Sequence, residues 1–187
     1  MRKGAAPGEE VREAIVEVDR LDQTLDRLLT FGRPNIRNRR LHDLRPLVDR
    51  AVRIVEDQAR NKDVRLVLQS APEPLTAEVD ALAIEQILIN LLMNAIDASP
   101  AHGTVTIAAR VEPEGIRVEV ADTGRGIEPA YREQIFNPYF TTKGNGTGLG
   151  LAISREMASH HDGSLEFEST ENGTTFALHL PPQRTQA

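Results

Sequence analysis

Residues 80–98 read DALAIEQILINLLMNAIDA, and this stretch decides the fold. Apolar side chains stand at Ile84, Ile87, Leu88, Ile89, Leu91, Leu92, Ala95 and Ile96, a density that predicts a helix buried on much of its circumference. Two amides interrupt it. Asn90 and Asn94 lie one turn apart and share a face. Burying an amide without a partner costs about 1–3 kcal/mol, so either nearby backbone groups satisfy both amides or they serve a ligand. In the second case the Asn94 side-chain carbonyl suits Mg2+, a hard cation that keeps waters and takes only one or two protein oxygens beside phosphates.

Outward from this helix, the pattern alternates between layers. A helix is predicted from about Leu44 to Asn61, with Leu47, Val48, Ala51, Ile54, Val55 and Ala59 on its apolar face. Period-two alternation over residues 64–69 predicts a strand. Thr104 to Val111 and Ile116 to Val120 read as two strands joined across residues 112–115, a turn by composition. A loop-rich zone runs to Thr147, followed by a helix from about Leu149 to His160 and closing strands near 165–168 and 174–180. This order predicts an α+β fold, a two-layer α/β sandwich with a mixed sheet and helices on one face.

Ahead of it, Val11, Ile15, Val18, Leu21, Leu25, Leu28 and Leu29 keep one stripe from Glu9 to Phe31. A helix of that length spans about 35 Å, and its stripe reads as half of a bundle or coiled coil because isolated helices are marginal in water. Gly32 and Pro34 stop it. The chain therefore divides into residues 1–34, one long bundle helix, and residues 35–187, the sandwich.

Composition bounds the function classes. The 187 residues carry 22 Lys and Arg against 28 Asp and Glu, a net charge of −6, which argues against nucleic acid as a partner. With no cysteine, a disulfide scaffold, Cys-ligated zinc and a thiol nucleophile are excluded. No run of 18 apolar residues occurs, and the first residues lack the apolar region of a signal peptide. The expected setting is aqueous and cytoplasmic.

Two glycine clusters flank the last strands and helix, one around Gly124 and Gly126, the other at Gly144, Gly146, Gly148 and Gly150. Each is either an ordinary turn or a place where backbone closes on a ligand and helix N–H groups meet an anion. Neither fits the dinucleotide fingerprint or the phosphate loop that ends in Gly-Lys-Ser/Thr. Asp97 is either a solvated helix-end carboxylate or a nucleotide contact.

Four segments stand in one order: NLLMNAIDA over 90–98, DTGRGI over 122–127, FNPYFTTK over 136–143 and GTGLGL over 146–151. Together they resemble the N, G1, F and G2 boxes of the sensor histidine kinase catalytic domain, within the ATPase superfamily of gyrase, Hsp90, histidine kinases and MutL. Residues 13–34 resemble the second helix of that family's dimerisation and phosphotransfer bundle, and about residues 9–181 are covered in all. The resemblance implies ATP and Mg2+ as cofactors and a Bergerat-type ATP-binding fold. Asn94 would hold the metal and the Asp122 carboxylate would accept the adenine amino group. Gly124, Gly126 and Ile127 would line the base and ribose, with Thr174 as a further contact. Residues 136–147 would form a lid that brings Thr142 and Lys143 to the phosphates, with Phe136, Tyr139 and Phe140 either anchoring it or filling the core beneath it. Gly146, Thr147, Gly148, Leu149, Gly150 and Leu151 would offer backbone N–H groups to the triphosphate. Asn90, Asn94 and Lys143 would be the catalytic group.

The resemblance also implies γ-phosphoryl transfer to a histidine on the first bundle helix, and this sequence carries no such helix ahead of Glu9. His42 opens a segment like the acceptor motif but one residue short before Pro46, and is read as a surface histidine near a helix start. His160 and His161 are read as basic groups at a helix end, where they suit the dipole. The implied parent is a larger sensor kinase, with a histidine-bearing bundle helix and a response-regulator receiver domain as partners. A homodimer through residues 9–31 would cover the exposed stripe. The competing readings are a nucleotide-dependent binding module without transferase activity and a slow ATPase. The clamp-like ATPases of the superfamily place a Glu base where Asn90 stands, and an amide cannot take a proton from water.

Overall fold

The computed structural model describes residues 38–69, 73–143 and 146–182. The expected helix over 9–31 and any dimer through it lie outside the described residues. The rest forms β1 (Arg40–Asp43), α1 (Arg45–Asn61), β2 (Arg65–Gln69), β3 (Thr76–Val79), α2 (Ala81–Ala98), β4 (Thr104–Glu112), β5 (Gly115–Asp122), α3 (Gly150–Ser159), β6 (Ser164–Thr170) and β7 (Gly173–Leu180), with a 3-10 turn at Pro129–Tyr131.

α2 is the spine. The Asp80 carboxylate accepts the N–H groups of Leu82 and Ala83 and so caps its start. At its end the Ser99 hydroxyl bonds to the Ala95 carbonyl, and Pro100 cannot continue the helix. Ile84, Ile87, Leu88, Leu91, Leu92, Ala95 and Ile96 are buried, and each Leu or Ile there contributes about 1.5–3 kcal/mol. Leu82, in the first turn, is 73% exposed.

A five-stranded sheet, ordered β2-β4-β5-β7-β6, forms the second layer; β2 and β4 are parallel and the other neighbours antiparallel. Along each central strand alternate residues meet the helices: Val105 and Ile107 on β4, Val118 and Val120 on β5, Phe176 and Leu178 on β7. Continued to one end of the sheet, the same alternation places Asp122, Thr174 and Ser169 on this inner face. An apolar ladder thus ends in a polar row.

Two short strands escape the sequence pattern. β1 and β3 pair antiparallel from Arg40 opposite Val79 to Asp43 opposite Thr76, forming a ribbon beside the start of α2. Four residues are too few for period-two alternation to stand out. His42, expected near a helix start, lies three residues ahead of α1 and is half-buried on β1.

Candidate functional site

The four sequence segments meet along two turns of α2. On the α3 side, the Asn90 amide donates to Ser154 Oγ at 2.9 Å, and a Cβ on Gly150 would stand 2.3 Å from Asn90 Oδ1. One turn on, Lys143 Nζ donates to Asn94 Oδ1 at 3.0 Å and to Asp97 Oδ2 at 2.7 Å. Lys62 caps the helix by donating to the carbonyls of Ile96 and Asp97. At the last turn a Cβ on Gly124 would meet the Ala98 carbonyl at 2.6 Å. Asn90, Asn94, Asp97 and the 122–127 loop are therefore held by one rigid element.

Asp122 is the most unusual group. It ends β5 at 8% exposure, and its Oδ1 accepts the N–H groups of Gly124 at 2.8 Å and Thr174 at 3.3 Å. Burial pushes its carboxyl above the ordinary aspartate value, against the two backbone donors that favour the charge. Both donors end on Oδ1, which leaves the other oxygen to accept from a ligand. The loop beyond is pinned: Ile127 N–H donates to Ser169 Oγ at 2.7 Å, and Arg132 bridges the carbonyls of Ile127 and Ser169. Gly126 has φ +69°, and a Cβ on it would overlap the Thr170 carbonyl. Its glycine is thus required by the protein's own backbone before any ligand arrives.

The second glycine run leads into α3. Leu149 is a core residue and Leu151 packs half-buried against the core. Leu149, the N-cap residue, has no side-chain capping bond, and the first intrahelical bond runs from Ile153 N–H to Leu149 O. The N–H groups of Gly150, Leu151 and Ala152 therefore lack helical partners at the positive end of the dipole. Gly146, Thr147 and Gly148 are half-buried beside them, with Thr142 exposed next to Lys143.

The expected lid divides in two. Phe136 is a core residue, packed edge-on against Phe167 and Phe176 with the Arg155 guanidinium 4.8 Å from its ring centre. Phe140 packs on Tyr131, whereas Tyr139 is 70% exposed in a left-handed conformation, φ +66°. Phe136 is thus part of the core, Phe140 packs against it half-buried, and Tyr139 and residues 141–143 are exposed.

His161 also corrects its expectation. It is buried, with Nδ1 donating to the Met157 carbonyl and Nε2 accepting the Asp80 N–H at 3.0 Å. That pairing fixes the neutral tautomer. Burial lowers its pKa, so it is no cationic partner for a helix dipole. His160, by contrast, lies 3.6 Å from Glu156 on the same helix.

Among the described residues there is no group of three or more His, Cys, Asp or Glu that could hold a metal. A cation here would rest on Asn94 Oδ1, and the Lys143 ammonium already bonded to that oxygen and to Asp97 demonstrates a donor pair suited to positive charge. Sequence reading missed Ser154 and Ser169. Ser154 carries a detectable signal, one polar residue a turn after Gly150 on an otherwise apolar face; Ser169 becomes visible only through strand register.

Residues 79–184 match the family described as histidine kinase-, DNA gyrase B- and HSP90-like ATPases. The chain belongs to this ATPase family. Within it the similarity is to histidine kinases: the sensor histidine kinase ZraS of Escherichia coli (strain K12) is 33% identical over 171 residues, 91% of this chain and 37% of ZraS. The chain thus spans little more than a third of the length of that curated relative. The nucleotide-free catalytic domain of histidine kinase ThkA is 34% identical, with a TM-score of 0.72 over 77% of this chain and 95% of that one. ThkA in complex with the response regulator protein TrrA aligns at 26% identity and a TM-score of 0.77, over 100% of this chain and 55% of that one. This ATPase-family domain is of the histidine kinase type, and its mixed sheet under α1, α2 and α3 is the α+β architecture of those catalytic domains.

Proposed function

We propose that this domain binds ATP with Mg2+ and transfers the γ-phosphoryl group to a histidine on a bundle helix supplied from elsewhere in its parent kinase. The observation that carries the reading is the convergence on α2 of a buried, half-satisfied carboxylate at Asp122, an oxygen pair at Asn94 and Asp97, a mobile-chain cation at Lys143 and the uncapped start of α3. In this reading Asp122 accepts the adenine amino group, with Gly124, Gly126, Ile127 and Thr174 shaping the base pocket. Residues 146–151 give backbone N–H groups to the phosphates. Asn94 holds Mg2+ beside Asp97; the chemistry that the ion supplies when bound is neutralisation of charge on phosphate oxygens. Lys143 exchanges its bonds to Asn94 and Asp97 for the γ-phosphate, together with Thr142. Asn90 is braced between Gly150 and Ser154 and so keeps α3 in register with α2; having no basic lone pair, it activates no water, and hydrolysis is slow.

The parent kinase would present the acceptor histidine from a bundle completed by residues 1–34, pair with a second copy through residues 9–31, and pass the phosphoryl group to a response-regulator receiver domain. The relation to ZraS and to the ThkA complex with TrrA supports these partners, and an ATP-using domain of this kind belongs in the cytoplasm, whether or not its parent is anchored in a membrane.

Calorimetry of Mg2+-dependent ATP binding, for this chain and its Asn94→Ala and Asp122→Ala variants, tests the site. Labelled ATP with an added histidine-bearing bundle fragment tests the transfer. Binding lost in both variants and label on the added histidine are the expected results. Binding without transfer would favour the nucleotide-dependent module, and a folded chain that ignores ATP would remove the site altogether.

A further inference from the structure

The oxygens assigned above to the metal already hold a cation. Asn94 and Asp97, three residues apart on one face of α2, both accept from Lys143 Nζ, at 3.0 Å from Asn94 Oδ1 and 2.7 Å from Asp97 Oδ2. Gln58 Nε2 on α1 donates to the other Asp97 oxygen at 3.4 Å, and Lys62 bonds the carbonyls of Ile96 and Asp97, so the pair is carried by a braced helix end. The lysine backbone is placed as well. Its N–H donates to Thr141 Oγ1 at 3.1 Å, and its carbonyl accepts the Gly146 N–H at 3.2 Å.

An ammonium and a metal ion compete for this place, because two cations within about 4 Å of each other repel even in water. The contest is a mild one. The Lys143 and Asp97 side chains are 43% and 39% exposed, and an ion pair that open to solvent favours its closed form by a factor of about two. About a third of the molecules then offer Asn94 to a metal, and a ligand that needs this open form binds about threefold more weakly than its intrinsic affinity. A bond of that strength is easily redirected. A terminal phosphate within reach of Nζ carries up to two negative charges against the single charge of Asp97, and the flexible lysine stem can follow it.

We propose that Lys143 is a built-in competitor of the metal ion, through which the site distinguishes a nucleoside triphosphate from a diphosphate. With a γ-phosphate to bond, Lys143 leaves Asn94 and Asp97 to the metal. Without one it returns to them and loosens Mg2+ together with the diphosphate. The proposal rests on the ATP reading and adds to it a device for releasing ADP once the γ-phosphoryl group has gone.

The test compares ATP with ADP by calorimetry over a range of Mg2+ concentrations, on the full chain and on Lys143→Met, each checked for folding by thermal unfolding. The variant is expected to bind ADP with Mg2+ about threefold tighter than the parent, with half-saturation at lower Mg2+. It should bind ATP with Mg2+ more weakly. Opposite signs are the mark of competition, since loss of a positive charge by itself weakens the binding of every anionic nucleotide. A folded Lys143→Met chain that binds ADP with Mg2+ no tighter than the parent overturns the proposal, as does one whose gain for ADP is the same when the metal is chelated. A folded parent that binds neither nucleotide overturns the ATP reading itself, a result distinguishable from the others because it needs no variant.

Discussion

The two ends of α2 are both rich in polar groups, and they differ in how those groups are used. At the start, Asp80 caps the helix, His161 accepts the Asp80 N–H while donating to Met157, and Asp43 binds Arg45 and the Leu75 N–H. These donors and acceptors close on one another, while Arg39 Nε, Glu85 Oε2 and His160 Nδ1 in the same region are buried without a hydrogen-bond partner among the described residues. At the other end Asp122 has both described donors on one oxygen, Asn94 and Asp97 share one flexible lysine, and α3 begins without a side-chain cap. Satisfied polar groups join pieces of a fold; groups left open at a rigid surface are available to a ligand. The comparison separates structure from site more sharply than polarity or glycine content does.

The largest test of this contrast is Asp122→Asn. Asparagine Oδ1 can still accept from Gly124 and Thr174, but its NH2 then faces the adenine amine, donor against donor. ATP affinity should fall about a hundredfold by calorimetry. Stability should not fall with it. Because burial raises the Asp122 pKa, the folded state holds its proton to higher pH than the unfolded chain, and its contribution to stability declines as pH rises through that interval. Asparagine removes the buried charge, so the variant's melting temperature at pH 7 should equal or exceed the parent's.

His161→Ala should do the opposite. It leaves the Asp80 N–H and the Met157 carbonyl without their partner and opens a cavity, at a cost of about 2–4 kcal/mol in denaturant unfolding. Affinity for ATP in the folded fraction should be nearly unchanged. In the parent, the lowered pKa means that the unfolded state binds the proton first as pH falls below 6.5. The stability from neutral His161, present above that pH, is lost as pH falls toward the folded pKa, and the variant should lack this slope. Arg39 and His160 oppose the charged form and Asp80 favours it, so the slope belongs to the group as a whole.

Lys143→Met should be nearly silent in thermal unfolding, within about 0.5 kcal/mol, because its bonds to Asn94 and Asp97 are solvent-exposed. Its phosphoryl transfer to an added bundle fragment should drop at least tenfold, which separates a functional cation from a structural one. The smallest effect is expected at Asp43, whose carboxyl the Arg45 guanidinium holds down at about 2. Asp43→Asn should cost about 1 kcal/mol near neutral pH. The difference from the parent should fade as pH falls from about 4 toward 2, since a depressed carboxylate stabilises only while charged. If instead this variant weakens ATP binding, the division between the two ends fails.

Much of the sandwich was legible because long periodic elements announce themselves. α1, α2 and β4 begin and end within a residue or so of their expected limits. β1 and β3 were not, since four-residue strands carry too little periodicity and owe their existence to each other. Sequence left Phe136 open between anchoring a lid and filling the core, because its aromatic neighbours, Phe167 and Phe176, are contributed by strands over thirty residues further along.

The sequence by itself determined the apolar spine with its two amides, the glycine-bearing segments at their spacings, and through them the resemblance to histidine kinase catalytic domains, because local periodicity and residue chemistry survive without knowledge of neighbours. The tertiary structure alone decided which polar groups close on partners and which stay open. Hydrogen-bond satisfaction depends on atoms from distant segments meeting within about 3 Å, so His161 became a joint, Asp122 a half-satisfied buried acid, and Ser169 a partner of Thr174 only once the sheet had fixed its register.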